Sequence, residues 1–301
     1  MRRLVGAVPT LLLVIVLAFF LVHSVPGGPF DSERVLPPEI EQVLLERYDL
    51  DDPVPVQLAK YLGNLLKGDF GPSYRSTLNV NQIIAQRFPA SLAIGGLAMT
   101  LALAAGLMLG TWAALRHNSR LDRVVTGLAM TGISIPIFVV APALVLIFAV
   151  YLNWLPAGWT VSPGPAKYVL PVVALALPQI AYITRLTRAS MIDVLQSGYV
   201  RTARAQGLGT AAIVRHHALK PALLPVVSYL GPAIAGILTG SVVIESVFGI
   251  PGLGEGFVTA AFNRDYLQVM GIVVLYAALV VLLNLLADVL YGLLDPRVRY
   301  E

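Results

Sequence analysis

The sequence QSGYVRTARAQGLGTAAIVRHHALK, residues 196–220, separates two long apolar stretches at about 169–187 and 222–244. It contains no acidic residue. Its cations are Arg201, Arg204, Arg215 and Lys220. Small residues between them leave the backbone open to close approach by another protein. A basic, Gly-containing loop between two apolar stretches is typical of a membrane protein with a docking surface on one side.

The composition of the whole chain supports this interpretation. Charged residues make up 13% of the sequence and hydrophobic residues 57%, whereas a soluble domain has about 25% charged residues. A bilayer core of about 30 Å requires roughly 20 apolar residues per helix, and a helix satisfies its own backbone polar groups, as lipid requires. The sequence therefore predicts an all-α membrane protein with six transmembrane helices, at about 4–22, 89–115, 124–152, 169–187, 222–244 and 269–290.

The first apolar stretch has a second interpretation, because it follows Met1, Arg2 and Arg3 and so resembles a secretory signal peptide. Its apolar run of about 19 residues is longer than the usual apolar region of a signal peptide. The sequence HSVPGGP that follows has no clear small-x-small cleavage site. We therefore expect a retained membrane span.

The distribution of Lys and Arg predicts the orientation, because cytoplasmic loops are enriched in these residues. If the N-terminus is inside, the basic 196–220 loop and Arg116, Arg120 and Arg123 all face the cytoplasm. Both termini are then cytoplasmic. The net charge of +4 is a topology signal that also favours contact with anionic membrane lipid. It gives no indication of a nucleic-acid partner.

A long segment, residues 24–88, connects the first two spans on the outer side. One helix is expected after Pro37 and Pro38, with an apolar stripe that includes Val43 and Tyr48. A second helix is expected after Asp52 as N-cap, with Pro53 at its first position. The segment is either a small cap packed on the membrane domain or a docking platform for an external partner. The two interpretations are compatible.

The outer segment 245–268 is rich in glycine. A phosphate-binding loop is excluded, because the chain contains no GxxxxGK[ST] sequence. We expect instead a gate or plug near the outer mouth, in which Gly and Pro fix tight turns. Its candidate residues are Phe248, Pro251, Gly252 and Gly254.

Several kinds of catalytic chemistry are missing from the sequence. There is no Walker A motif, no HExxH and no GxSxG sequence. His216 and His217 are adjacent and so lie on different helix faces, which does not suit a metal site. The span interiors hold almost no ionisable residues, although ion-coupled carriers need them at mid-membrane. The chain has no Cys. These absences indicate that another subunit supplies the energy.

Polar residues within the spans are candidates for lining a transport pathway. Ser and Thr in such helices also serve as hydrogen-bonding contacts between helices, so each has a structural alternative. The candidates are Ser134, Gln179, Ser228, Thr239 and Ser241.

The chain resembles a known family through ordered blocks that run from about residue 4 to the C-terminus. The most specific are YVRTARAQGL at 199–208 and RHHALKPALLPVV at 215–227. The others are GDFGPSYRS at 68–76, RFPASLAI at 87–94, SIPIFVVAPALVL at 134–146, NWLPAGW at 153–159, VFGIPGLG at 247–254 and LLDPRVRY at 293–300. These blocks resemble the permease subunit of binding-protein-dependent ABC importers, in the dipeptide/oligopeptide branch. Arg201 stands where the general family has Glu, which favours this branch.

The resemblance implies the type I ABC importer permease fold with a helical extracytoplasmic insertion between spans 1 and 2. The expected organisation is a first transmembrane helix at 1–23, a cap at 24–88 and a core permease domain at 89–301. The expected location is the cell membrane of a prokaryote, as a multi-pass protein.

Within the core, the resemblance makes the 196–220 loop a coupling element for a separate ATPase. A short helix over 199–206 is expected to end at Gly207 with φ > 0. Thr210 is expected to N-cap a second helix over 211–219. The residues expected to contact the ATPase are Arg201, Thr202, Ala203, Arg204, Ala205, Gly207 and Leu208. The structural alternative is a loop that only packs on its own spans.

The expected partners are a second, similar permease subunit, two cytoplasmic ATPase subunits and an extracytoplasmic peptide-binding protein. ATP and Mg²⁺ are expected in the ATPase subunits, with no cofactor, metal or catalytic residue in this chain. Importers of nickel or glutathione share the same sequence blocks and remain alternatives. An ATP-independent channel is a further alternative. An intramembrane enzyme is disfavoured because no nucleophile or metal cluster is found at membrane depth.

Overall fold

The computed structural model describes residues 2–30, 38–159 and 164–294. Within these residues the chain is helical, and extended backbone pairs only in an isolated bridge between Pro72 and Asn79. Pro37 and residues 295–300 of the C-terminal sequence block lie outside this part. The helices are α1 (Arg2–Ser24), α2 (Pro38–Arg47), α3 (Val54–Leu65), α4 (Val80–Leu115), α5 (Arg120–Ser134), α6 (Ile137–Leu144), α7 (Val169–Leu195), α8 (Gly198–Ala205), α9 (Thr210–Ile213), α10 (Leu219–Ala222), α11 (Leu224–Phe248), α12 (Leu253–Phe262) and α13 (Tyr266–Leu294).

Five of the six predicted spans are present as helices long and apolar enough to cross a membrane. They are α1, α4, α7 with the preceding 3₁₀ turn, α11 and α13. Of these, α7 is the most buried, since 56% of the residues in its most apolar segment are shielded by the rest of the structure. It packs against α5, α6 and α11 and so forms the centre of the helical bundle.

The third predicted span, 124–152, is built from two helices joined by a sharp bend and is not one continuous helix. Helices α5 and α6 meet at an angle of 105°. The break is at Ile135 and Pro136, where Ile135 is extended with φ −88° and ψ 121°. Proline disfavours the helical region for the residue before it, so α5 ends and α6 begins at this point. If the bent pair crosses the membrane as one broken span, the described residues contain six.

Close packing between α4 and α7 depends on two glycines one turn apart on α4. A Cβ atom at Gly106 would lie 2.6 Å from Ile183 Cγ2, and one at Gly110 would lie 2.6 Å from Thr187 Cβ and 2.7 Å from the backbone oxygen of Thr184. Gly106 and Gly110 form a GxxxG sequence, which allows helix backbones to approach closely in membranes.

An ion pair fixes the start of α5 to α7. Arg188 donates Nε to Asp122 Oδ1 at 2.5 Å and Nη2 to Asp122 Oδ2 at 2.8 Å. Asp122 is only 2% exposed and also accepts a bond from the backbone N–H of Asn118. This two-pronged geometry orients both side chains more firmly than a single contact does.

The chain divides into two compact units. We call Met1–Ser91 with Pro251–Val281 the outer unit, after the side of the membrane that the sequence predicts for it, and Leu92–Ile250 with Leu282–Glu301 the core unit. This division groups residues by their contacts. The division into 1–23, 24–88 and 89–301 stays a prediction.

In the outer unit, α3 packs on α1 and α13. Their shared apolar cluster includes Ile15, Phe19, Tyr61, Met270 and Val274. This is the helical cap that the sequence predicted.

The predicted N-cap of the second cap helix is wrong. Helix α3 begins at Val54 with Pro53 as N-cap, and no side chain caps it. Asp52 instead lies 2.6 Å from the Lys60 ammonium, so its carboxylate is used in an ion pair.

A polar network ties the residues that follow α3 to the start of α13. Ser73 donates to the buried carboxylate of Asp265, which also accepts a bond from the backbone N–H of Gln268 and so caps α13. Arg75 donates to the backbone oxygens of Pro29 at 2.7 Å and Asn263 at 3.0 Å. These bonds are directional and largely involve backbone groups, so they fix the conformation of this loop.

Candidate coupling site and transport pathway

The first helix of the predicted coupling loop ends as the sequence predicted. Gly207 has φ +84°, the left-handed conformation that glycine adopts without steric cost. The N–H of Leu208 bonds to the oxygen of Ala203 at 3.2 Å, and the N–H of Gly207 to that of Arg204 at 3.0 Å. These two bonds are the Schellman pattern that closes a helix C-terminus.

The second helix begins differently from the prediction. Gly209 is its N-cap, with φ −69° and ψ 155°, and no side chain caps this helix. Thr210 is already helical, because the N–H of Ile213 bonds to the oxygen of Gly209 at 3.0 Å. The predicted N-cap role of Thr210 is therefore wrong. The helix continues through a π turn at Val214–Ala218 into α10. We call residues 198–222 the knob.

The knob has an apolar side that packs on the ends of the spans. Val200 and Ile213 are fully or almost fully buried, and Ala203 is 4% exposed. They contact a cluster that includes Met191 and Leu195 of α7. Ala203 therefore belongs to the base of the knob, and its side chain is not part of the outward surface.

The other residues predicted for coupling lie on the outward side. These residues are exposed, and the exposed fraction of Leu208 is 36%. Arg201 donates Nε and Nη2 to the oxygen of Gln196 at 3.2 and 3.1 Å, which orients its guanidinium. The exposed members are Arg201, Thr202, Arg204, Ala205, Gly207 and Leu208. The knob thus presents a basic face on a firmly packed base.

The five predicted pathway residues fall into two groups. Ser134, Ser228 and Thr239 are exposed, and each hydroxyl donates to a carbonyl of its own helix one turn before. Gln179 and Ser241 are buried. Gln179 joins α7 to α11 by accepting a bond of 2.9 Å from the hydroxyl of Tyr229.

The structure shows a stripe along α11 that the sequence reasoning did not assemble. Its exposed residues recur every three or four positions, and none carries a large side chain. They are Pro225, Ser228, Pro232, Gly236 and Thr239. A Cβ atom at Gly236 would lie 2.8 Å from Gln179 Nε2, so this stripe also adjoins the buried amide. The signal was present in the sequence as small residues at helical spacing.

Among the predicted outer gate residues, Phe248 belongs to the core unit. It is 3% exposed, and its oxygen accepts a 2.9 Å bond from the N–H of Trp159. Helix α11 ends immediately afterwards at Gly249, which has φ +63°. The outer loop 153–159 is thereby attached to the end of α11.

Pro251, Gly252 and Gly254 belong to the outer unit, at the start of a helix that the sequence analysis missed. The oxygen of Gly252 accepts a 3.2 Å bond from Arg87, whose guanidinium also pairs with Glu255. The Leu253 N–H bonds to Ser91 Oγ at 2.8 Å. This segment is therefore the anchored start of α12, where a glycine-rich loop was expected.

The described residues contain no group of three or more His, Cys, Asp or Glu side chains that could hold a metal ion. Their most organised features are the helical bundle, the bent helix pair α5 and α6, and the basic knob. Together these features define a multi-pass α-helical membrane protein with a basic helical loop packed on its spans.

Comparison with known proteins gives the family. The family model described as "Binding-protein-dependent transport system inner membrane component" matches residues 106–300, and the model of its N-terminal part matches residues 1–95. The chain belongs to this family and is a permease subunit of an ABC importer.

Curated relatives align over nearly the whole chain. The oligopeptide transport system permease protein OppB of Haemophilus influenzae is 49% identical over 302 residues, covering 99% of this chain and 98% of that protein. OppB of Escherichia coli K12 is 50% identical over 303 residues, covering 100% and 98%. The dipeptide transport system permease protein DppB of Bacillus subtilis is 43% identical over 300 residues, covering 99% and 96%.

Solved structures support the fold. The inward-facing MetNI methionine ABC transporter matches with a TM-score of 0.58 at 18% identity, covering 71% of this chain and 97% of that chain. An amino acid ABC transporter solved with histidines matches with a TM-score of 0.52 at 19% identity, covering 72% and 95%. The chain has the type I ABC importer permease fold.

Proposed function

We propose that this chain is one of two permease subunits of an ATP-driven importer of di- or oligopeptides. The observation that carries the substrate class is the identity of 49–50% to oligopeptide permeases over nearly the full length. This similarity favours peptides over nickel or glutathione. The assembly would contain a second, similar permease, two ATPase subunits and an external peptide-binding protein, with both termini of this chain in the cytoplasm.

In this proposal the knob couples ATP hydrolysis to movement of the spans. Its outward face, with Arg201, Arg204 and Leu208, would sit in a cleft of one ATPase subunit. Because its base is apolar and buried against α7, a displacement of the knob would move α7 with it instead of deforming the contact. The two states of the bundle must differ in their contacts with the ATPase for ATP to shift the equilibrium between them.

The small-residue stripe on α11 is our candidate for the pathway of this subunit. A face turned to lipid is expected to carry large apolar side chains, as α13 does with Leu286 and Leu293, 52% and 74% exposed. The stripe on α11 instead carries Ser228 and Thr239 between prolines and glycine. Gln179 would border this pathway, and Ser134 would lie on the exposed side of α5.

The outer unit is our candidate for contact with the binding protein. The cap, residues 24–88, and the segment from Pro251 to Gly254 supply its exposed surface, and Phe248 would contribute to a gate from the core unit. ATP and Mg²⁺ would bind only in the ATPase subunits, and this chain would be non-catalytic.

Uptake of labelled peptides tests the proposal. A strain lacking its peptide importers should regain uptake of labelled di- and oligopeptides when this chain is expressed with its permease, ATPase and binding-protein partners. Uptake should be lost when the Walker A Lys of the ATPase is replaced, since that residue contacts the nucleotide phosphates. Rescue of nickel or glutathione uptake alone would contradict the peptide assignment. Uptake that survives loss of ATPase activity would indicate a channel.

A further inference from the structure

A cavity of about 240 Å³ lies in the outer unit, where the cap meets the ends of α1 and α13. Six rings follow one another along its wall. Their centroids are separated by 4.9 Å (Tyr48–Tyr74), 6.3 Å (Tyr74–Tyr266), 5.4 Å (Tyr266–His23), 4.0 Å (His23–Phe19) and 6.3 Å (Phe19–Tyr61). We call this wall the aromatic arc. Neither the coupling nor the pathway proposal uses it.

The depth of the cavity is set by the two helices that form its floor. Phe19 and His23 lie in the last two turns of α1, and Tyr266 and Met270 lie in the first two turns of α13. Both helices are membrane spans by length and composition. The ends of membrane spans lie near the lipid headgroups, where amphipathic aromatic rings are favoured, and we infer that the floor of the cavity lies at that level.

The rim of the cavity carries both signs of charge. The Lys60 ammonium lies 2.7 Å from Asp49 and 2.6 Å from Asp52. The hydrogen bonds that it donates to Asp49 and to Asp52 raise its pKa. Arg47 has no carboxylate partner among the described residues, and its Cζ lies 5.9 Å from the centroid of the Tyr48 ring. Among the described residues, the rim thus offers one cation without a carboxylate partner, beside two carboxylates that share Lys60.

Helix α1 also carries an exposed apolar stripe, on a different face from the Phe19 and His23 side chains that line the cavity. Leu13, Leu17 and Leu21 recur one turn apart and are 58%, 59% and 66% exposed. Phe20, on the adjacent face, packs edge-to-face on Phe19 of the aromatic arc. A chain of methylene groups that leaves the cavity would therefore pass over Phe20 to reach this stripe.

We propose that the aromatic arc binds the headgroup of a zwitterionic aminophospholipid. The phosphate contacts Arg47, the ammonium lies against the tyrosine rings and Asp49, and an acyl chain follows Leu13, Leu17 and Leu21. Cations are attracted to aromatic faces, and guanidinium groups match phosphate geometry. The cavity is smaller than the roughly 300–1,000 Å³ typical of sites for drug-sized ligands, which suits a headgroup. This site does not depend on which substrate is transported.

Binding to the purified complex in detergent tests the site, with phosphatidylethanolamine or phosphatidylglycerol as the added lipid. Native mass spectrometry would report the affinity, and hydrogen exchange at residues 45–64 and 266–270 would report the location. We expect phosphatidylethanolamine to slow exchange there and to bind at least tenfold more tightly than phosphatidylglycerol. Equal effects of the two lipids would overturn the assignment.

Two variants in the rim separate this site from other lipid contacts. Arg47→Gln and Asp49→Asn should each weaken the exchange protection about tenfold, as expected for loss of a charge-assisted bond. Asp49 has φ +55°, which Asn tolerates, so the turn is retained. Lys67→Gln, an exposed cap residue outside the cavity, is the control and should have no effect. If the lipid still slowed hydrogen exchange equally in both Arg47→Gln and Asp49→Asn, the proposed site would be overturned. Equally tight binding of water-soluble glycerophosphoethanolamine would overturn the role of the acyl chain.

Discussion

The knob and the cap are both sets of short helices attached to membrane spans, and they are attached by different chemistry. The knob uses apolar packing, with Val200 and Ile213 buried against Met191. The cap adds directional polar bonds, such as Ser73 to Asp265, and retains a cavity. Dry, close-packed contacts transmit displacement, whereas hydrogen bonds to specific groups fix a conformation and leave space for a ligand. We therefore propose that the knob transmits force and that the cap recognises a ligand.

The largest effect is expected from opening a hole under the knob. Ile213→Ala removes a side chain that is 1% exposed, and such a cavity costs about 2–5 kcal/mol. Because this contact joins the knob to α7, we expect faster hydrogen exchange throughout residues 198–222 and loss of uptake. Leu208→Ala, on the exposed side, is the control for exchange. Unchanged protection in Ile213→Ala would show that apolar packing does not hold the knob.

A smaller and more local effect is expected in the cap. Ser73→Ala removes one of the hydrogen bonds to the buried carboxylate of Asp265, which costs about 1.5–3 kcal/mol for a charged acceptor. Exchange should accelerate at residues 72–76 and in the first turn of α13, while the knob stays protected. Thr77→Ala, an exposed neighbour, should leave exchange unchanged. Destabilisation of the knob by Ser73→Ala would contradict the separation of the two attachments.

The smallest stability effect is expected below the knob, where α4 meets α7. Gly110→Ala would place Cβ 2.7 Å from the backbone oxygen of Thr184, and overpacking of this kind costs about 1–3 kcal/mol. Gly127→Ala is the matched control, because no atom lies within 4 Å of its Cβ position. That change should be neutral or stabilising by up to about 1 kcal/mol. Thermal unfolding of the complex measures both, and equal midpoints would contradict close helix packing at Gly110.

Features decided by local chemistry were predictable from the sequence. The end of α8 at Gly207 is an example, because a left-handed cap needs only one glycine in the right position. The apolar stretches likewise predicted the unbroken spans, since length and hydropathy alone define them.

The broken span was not predictable, because proline has two outcomes in these helices. Pro142, Pro178 and Pro232 lie inside helices, whereas Pro136 separates two helices that bend by 105°. Only the packing around each proline decides between a tolerated kink and a break.

In the candidate site, the sequence likewise did not show which small residues are buried and which are exposed. Ala203 and Ala205 are alike in sequence, yet the first is buried in the base of the knob and the second is exposed. Gly256 suggested a loop, but it lies in α12, where a Cβ atom would be 2.9 Å from Arg87 Cδ. What a small residue packs against depends on tertiary contacts, which cannot be read from the sequence.

The central claim is that the knob transmits the work of a separate ATPase, and two glycines in the knob test it most directly. Gly207 has φ +84° and Gly209 has φ −69°, and neither Cβ position has an atom within 4 Å. A β-branched residue is strained only at Gly207, by about 1–2 kcal/mol. Peptide uptake and ATP hydrolysis should be measured together in proteoliposomes that contain the whole complex. We predict that Gly207→Val keeps ATP hydrolysis but loses uptake at least tenfold, while Gly209→Val keeps both. Normal ATP-driven uptake by Gly207→Val would contradict the account.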